Sequence, residues 1–198
     1  MNPAEEIPGG DLIVDEPSPD APEGPRLPGD LMMWVLIVSE LLVFGAGLTA
    51  FLAVRIDDPV GFSASQDQLH RLSAGINTAV LVTSGLLAAL AQHAAEAGQR
   101  GPARLRLGWA ALLGVVFLVL KGVEYADAAS KGLGTETHAF FTFYWLLTGF
   151  HAAHVVAGVI LLGIVAIRLR PDGVEAGAQF WHMVDLVWVM LFPVIYLL

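Results

Sequence analysis

The run Ala139–Ile167, AFFTFYWLLTGFHAAHVVAGVILLGIVAI, decides how the rest of the chain is read. Its 29 residues hold no Asp, Glu, Lys or Arg, and roughly 20 apolar residues suffice for a helix to cross a bilayer. The helix it predicts is long enough to tilt or protrude. Two histidines interrupt the run, His151 and His154. Three residues apart, they lie about 60° from each other on one face of a helix. Imidazoles are rare inside membranes unless turned toward protein, so this face is read as packed.

Outward from this run the same pattern recurs four times. Leu31–Val54 is apolar apart from Glu40 and follows Pro28-Gly29-Asp30, which can end the preceding segment and cap a helix. Leu72–Gln92 carries no charge, and its Ser73, Gly75, Ser84 and Gly85 suit close helix packing. Leu105–Ala126 carries Lys121 and Glu124 toward its far end, and Gln179–Leu198 carries His182 and Asp185. Between them, Arg55–Arg71 reads as a polar loop and Lys131-Gly132-Leu133-Gly134 as a short connection, while Arg168, Arg170 and Pro171 close the fourth run. No internal repeat and no alternating strand pattern is visible. The fold class is all-α: an integral membrane helical bundle with five transmembrane helices.

Composition agrees. With 56% hydrophobic and 15% charged residues, the chain is too apolar for an ordinary soluble domain. The net charge of -9 comes mostly from residues 1–30, which hold eight acids, one base and seven of the eleven prolines. That segment cannot bury enough surface to offset its ordering entropy and is expected to be a disordered acidic tail. It lacks the basic start of a signal peptide. The remaining 168 residues carry eleven acids and nine bases, with no basic patch to displace phosphate counterions, so nucleic acid is not expected as a partner. There is no cysteine, which removes disulfides, thiolate-ligated haem, iron–sulfur clusters and cysteine-ligated copper.

Five spans put the two ends on opposite sides. One side gathers Arg26, Arg100, Arg104, Arg106, Arg168 and Arg170; the other has Arg55, Arg71 and Lys131, with Lys121 just inside the span. Six bases against three predict a cytoplasmic N-terminus and an external C-terminus.

Depth can be counted at about 1.5 Å per residue in a core of roughly 30 Å. Glu40 then lies ~14 Å from the cytoplasmic edge, His151 ~12 Å, His154 ~8 Å and Asp185 ~9 Å. These groups share one layer on three helices. A lone carboxylate at that depth is costly unless neutral, paired or facing water, so the cheapest arrangement turns the groups toward one another. They are expected to form a buried polar seam tying three helices together. Such a seam implies that His151→Leu, by stranding its partners, costs about 1–3 kcal/mol and more than Glu40→Gln.

Other chemistries fit less well. Carboxylate-bridged di-iron bundles use paired Glu-x-x-His motifs, and none is present. Bis-histidine haem needs facing histidines on separate helices. No nucleophile motif surrounds Ser39 or Ser84. A small transporter or proton conductor acting alone needs polar groups reaching both surfaces. Lys121 and Glu124, at i and i+3, are expected to be a solvated pair at the outer interface, the lysine snorkelling. Trp34, Trp109, Tyr125 and Tyr196 sit near span ends, as interface anchors do, and Tyr144 and Trp145 enter the fourth span similarly.

Four stretches carry a family resemblance. Phe143-Tyr144 followed by Thr148-Gly149-Phe150-His151-Ala152-Ala153-His154-Val155, with Gly158 behind, resembles the penultimate helix of subunit III of the haem-copper oxidases. Phe180-Trp181-His182-Met183-Val184-Asp185-Leu186-Val187-Trp188 resembles its last helix, which likewise ends in a tyrosine-containing stretch such as Ile195-Tyr196-Leu197. Ser39-Glu40 with Phe44 is similar to the family's Ser-Glu helix, and Glu124-Tyr125 to its glutamate–tyrosine pair. The match spans residues 31–198, and five helices correspond to the shorter bacterial form.

The resemblance implies an accessory subunit of a bacterial inner-membrane respiratory complex with no cofactor of its own. Haem and copper or iron would belong to a partner, the catalytic subunit I. It further implies a bound phospholipid and support of sustained turnover and proton uptake. Glu40 takes the place of the family's buried glutamate, and His151, His154, His182 and Asp185 match its polar residues. Lys121 stands where many members carry glutamine. The acidic, proline-rich tail is similar to that of subunit III-like proteins associated with nitric oxide reductase.

Overall fold

The computed structural model describes residues 31–198; the acidic tail expected at 1–30 lies outside them. Among the described residues there is no strand. The helices are α1 (Leu31–Asp57), α2 (Pro59–Gln66), α3 (Arg71–Glu96), α4 (Arg100–Ser130), α5 (Ala139–Arg168) and α6 (Pro171–Phe192), the last running on through a π-helical turn, Pro193–Leu197. α1, α3, α4, α5 and the α6 helix with its π turn are long and apolar enough to cross a membrane.

The spans are longer than the apolar runs alone suggest. α6 begins at Pro171, where the proline supplies a preset φ at the first helical position, eight residues before the expected start at Gln179. Two ends are set by glycine. At Gly98 (φ 73°) and Gly132 (φ 72°) the chain enters the left-handed region. There Gln99 N donates to Ala94 O and Leu133 N to Ala128 O, the six-residue closure that satisfies the last carbonyls of α3 and α4. α5 is capped by His138, whose Nδ1 accepts from Phe140 N at 3.0 Å.

The expected polar loop Arg55–Arg71 contains α2. Asp58 caps it by accepting from Gly61 N at 2.9 Å, Pro59 opens it, and Phe62 is buried against Phe51 and Phe140. Asp58 Oδ2 also lies 3.1 Å from His138 Nε2, joining α2 to the start of α5. The Gly61 amide, and then His138, hold the Asp58 carboxyl below its usual value of 3.8. The sign follows: the tie is present above pH 3.8 and is lost as pH falls through the lowered value. Asp58→Ala at neutral pH should therefore speed amide exchange across 59–66, as acidification does in the parent. Unchanged exchange in that variant would show that the cap does not hold α2.

α3, α4, α5 and α6 form the core, packing in the order α3–α4, α4–α5, α5–α6 and α6–α3, while α1 leans on α5 and α6. α1 buries only Phe44, Leu48 and Phe51, one stripe at i, i+4 and i+7. Of the small residues on α3, Ser84 and Gly85 are packed, but the Gly75 face is open. Arg104 at the base-rich end donates to Ala166 O at 3.0 Å, and its Nη2 to Ile167 O at 3.5 Å, satisfying the end of α5.

Candidate functional site

The strongest concentration of charge in the core is on α4. Lys121 and Glu124 are 1% and 6% exposed, so the pair expected to be solvated is buried. Helix packing explains the difference. Residues 117, 121, 124 and 128 share one face of α4, and that face meets α5 and the C-terminal π turn. Lys121 Nζ donates to Glu124 Oε1 at 2.9 Å and to Tyr196 OH. The same carboxylate oxygen accepts from Tyr144 OH at 2.7 Å and from Tyr196 OH at 2.5 Å.

Lys121 Nζ also lies 4.9 to 5.3 Å from the ring centroids of Tyr125, Tyr144, Trp188 and Tyr196. An ammonium over ring faces is stabilised by their quadrupoles, most when water is excluded. One carboxylate oxygen with three donors, and one cation caged by four rings, join α4, α5 and the chain end. Chemically this is a buried, hydrogen-bonded ion pair.

Tyr144 and Tyr196, read from the sequence as interface anchors, are carboxylate donors in the core. Tyr125 is partly buried and donates to Thr148 Oγ1 at 2.8 Å. Trp34 and Trp109 remain exposed. The signal for the cluster was present: a lysine inside a span, with tyrosines on three helices toward the same side. Two further ties were not foreseen. Gln66 Nε2 donates to Ile195 O at 2.8 Å, and Arg55 Nη2 donates to Leu198 O, so α1 and α2 also hold the π turn.

The expected seam divides into separate contacts. Glu40 and His154 come together across α1 and α5, with Oε2 3.2 Å from Nε2 and side chains 23% and 16% exposed. His154 Nδ1 lies 2.9 Å from Phe150 O; a carbonyl only accepts, so the hydrogen is assigned to Nδ1. The Glu40 contact is at ion-pair distance but out of line for a hydrogen bond, and Oε2 has no aligned donor. Asp185 turns instead toward α3. Its nearest ionisable neighbour is His182, Nδ1 to Oδ2 3.9 Å, one turn away on the same helix.

His151 is fully buried, and neither ring nitrogen has a hydrogen-bond partner among the described residues. It stacks on Trp188 at 5.1 Å and meets Phe117 and Phe44 edge-on at 5.7 and 6.3 Å. The expected reason for a large His151→Leu cost is therefore missing, because leucine strands no partner. His151→Leu should lie within about 1 kcal/mol of the parent, since an apolar replacement of similar shape for an unpaired polar group is nearly neutral. Thermal unfolding of the purified complex checks this; a loss above about 2 kcal/mol would reveal a polar partner for the ring.

Among the described residues, no three His, Asp or Glu side chains converge as a metal ion would require.

A family model described as cytochrome c oxidase subunit III matches residues 29–198. Cytochrome c oxidase subunit 3 of Corynebacterium diphtheriae is 31% identical over 173 residues, covering 82% of this chain and 84% of that one. The subunit of the same name in Synechocystis sp. is 31% identical over 181 residues, covering 85% and 76%. Cytochrome bo(3) ubiquinol oxidase subunit 3 of Pseudomonas aeruginosa is 28% identical over 173 residues, covering 83% and 82%. With the matched region running through all five helices that are long and apolar enough to cross a membrane, this chain belongs to the cytochrome c oxidase subunit III family.

Proposed function

We propose that the chain is the accessory third subunit of a haem-copper oxidase in a bacterial inner membrane. It packs beside catalytic subunit I with its N-terminus cytoplasmic and its C-terminus external. The haem and metal chemistry is the partner's, and this chain supports the partner's stability, lipid environment and proton uptake. The finding that carries the reading is the subunit III match across residues 29–198. The disposition of polar groups supports it: Lys121, Glu124, Tyr144 and Tyr196 bond to one another, and Glu40 pairs with His154.

A phospholipid suits the groove of about 400 Å³ where α5 and α6 meet. Its apolar wall includes Leu161, Ile164 and Val165, and its rim carries Arg168, Arg170 and Asp172. Guanidinium groups would take the phosphate while the acyl chain lies on the wall. Glu40 and His154, both partly exposed, are the pair assigned to proton uptake. A stand-alone proton conductor is less well supported, because neither His151 ring nitrogen has a hydrogen-bond partner among the described residues to pass a proton to. The relatives above carry oxidase names, and the tail that suggested a nitric oxide reductase branch lies outside the described residues, so the oxidase reading stands first.

Purification in mild detergent tests the reading. The chain should co-purify with a haem-containing subunit, and the complex should show haem absorbance that the separated chain lacks. Stoichiometric haem on the separated chain overturns the assignment.

A further inference from the structure

The start of α1 has a defined place on the bundle. Gly47 on α1 sits against Leu147 on α5, where an added Cβ would come within 2.6 Å of that side chain, and Glu40 meets His154 at 3.2 Å. Seven residues back along α1, Gly47 to Glu40, thus match seven forward along α5, Leu147 to His154, and the two helices run antiparallel. The nine residues from Glu40 back to Leu31 then bring the first residue of α1 level with Gly163, nine residues past His154.

Beyond that level α5 goes on without α1. Its α1-facing stripe, Leu147 and His154, continues on the same seven-residue step to Leu161 and Arg168. Both of these line the groove of about 400 Å³ between α5 and α6, together with Ile164, Val165 and Arg170. The groove therefore prolongs the seat of α1, and the chain that precedes α1 joins the bundle at its mouth.

Charge matches as well. Arg168 and Arg170 are exposed, and neither side chain has a hydrogen-bond or ion-pair partner among the described residues. Arg104, whose guanidinium reaches Ala166 O and Ile167 O, adds a positive charge at the same corner. Among the described residues lining the groove, Asp172 is the single acid. The sequence ahead of α1 has the opposite sign, with eight acids to one base. Its one run of three large apolar residues, Leu12-Ile13-Val14, stands between Asp11 and Asp15-Glu16. An apolar wall rimmed by guanidinium groups complements that pattern. Residues 17–30 can extend to roughly 46 Å, several helix diameters, so they let the run reach the groove. A phospholipid head brings one phosphate, whereas this segment brings three carboxylates and is tethered at the groove, at an effective concentration of about a millimolar.

We propose that the α5/α6 groove seats the chain's own segment 11–16, with Leu12 and Val14 on the wall of Leu161, Ile164 and Val165 and the three carboxylates at Arg168 and Arg170. The phospholipid proposed for this groove needs the same two guanidinium groups, so segment and lipid exclude each other, and the segment limits lipid access. That consequence rests on the lipid reading. The contact itself depends only on which ends of α1, α5 and α6 lie together, and it holds for either orientation across the membrane.

The test uses the intact complex in nanodiscs of phosphatidylcholine with a minor share of phosphatidylglycerol, and a benzophenone amino acid at position 13. Illumination should cross-link it to peptides from residues 161–176 of the same chain. Combining Asp11→Asn, Asp15→Asn and Glu16→Gln should lower the yield about tenfold, the change expected for two lost surface ion pairs. Leu12→Ser with Val14→Ser should lower it at least as far. These substitutions leave every residue of the bundle as it is, so folding is not at issue. Arg168→Glu with Arg170→Glu should lower the yield similarly, and adding Asp11→Arg, Asp15→Arg and Glu16→Arg should restore it. Cross-links at 161–176 that ignore these substitutions, cross-links confined to lipid or to another subunit, or no cross-link at all, overturn the proposal. The lipid reading is tested apart from it, by deleting residues 2–28, which should raise the phosphatidylglycerol retained by the complex. Unchanged retention, with the parent's segment cross-linked at the groove, would remove the lipid from the groove and confirm the segment there.

Discussion

Glu124→Ala should destabilise the assembled protein by about 3–5 kcal/mol, the cost of leaving one partner of a buried ion pair alone. The substitution takes the shared carboxylate acceptor away from three donors, Lys121 Nζ, Tyr144 OH and Tyr196 OH. An ammonium on a residue 1% exposed is then left without a counter-charge, beside the Tyr196 hydroxyl and the ring faces. Those are worth about 2 kcal/mol or somewhat more when desolvated, less than the penalty of stranding the charge. Lys121→Met with Glu124→Gln removes both charges and keeps an amide oxygen for the two phenols, so the double variant should recover most of the loss. Lys121→Gln, which installs the residue many subunit III proteins are expected to carry, leaves the Glu124 carboxylate without a counter-charge but with an amide and two phenol donors, so its loss should fall between the other two. Thermal denaturation of the complex in mild detergent, followed by retention of this chain, reads all three. If the double variant is as unstable as Glu124→Ala, shape rather than charge holds the cluster, and the argument from an uncompensated ammonium fails.

Much of the fold was legible because a bilayer makes one demand on every span, about 20 apolar residues in a row, and Ala139–Ile167 or Leu31–Val54 meet it openly. Helix ends were less legible. Polar turns such as Pro171–Ala178 continue a helix beyond the apolar run, and α2 is too short to show a period. The candidate site divides along a similar line. Counting along a helix gives depth but not rotation about the axis. Glu40, His151, His154 and Asp185 share a layer by count, yet α1 and α5 turn Glu40 to His154, while α6 turns Asp185 to Gly85. His151 was read as hydrogen-bonding because imidazole usually is; its aromatic cage is built from Phe44, Phe117 and Trp188 on three helices, and no local pattern announces it. The burial of Lys121 has the same origin, since its carboxylate acceptor is local but three of its four rings come from α5, α6 and the π turn.

Trp181→Ala is the second substitution expected to cost about 3–5 kcal/mol, as large aromatic truncations in a packed core do. The indole is fully buried and lies in a slot made for it by small residues on two neighbouring helices. An added Cβ at Gly114 on α4 would come within 2.6 Å of its ring, and one at Gly158 on α5 within 2.5 Å. Its Nε1 donates to Ser84 Oγ on α3 at 3.0 Å, and that hydroxyl donates to Ala110 O on α4 at 2.7 Å. One side chain thus joins α6 to the other three helices of the core, in a membrane, where packing rather than hydrophobic expulsion brings helices together. The slot makes the prediction specific. Gly158→Leu alone overpacks and should cost about 1–3 kcal/mol, since the ring cannot move aside without disturbing α3 and α4. In the Trp181→Ala background the same leucine enters the vacated space, so the double variant should be more stable than the sum of the two losses, with a coupling of about 0.5–3 kcal/mol. Strict additivity in thermal denaturation of the complex would mean that the slot relaxes independently of its occupant, and that the four-helix core does not depend on this indole.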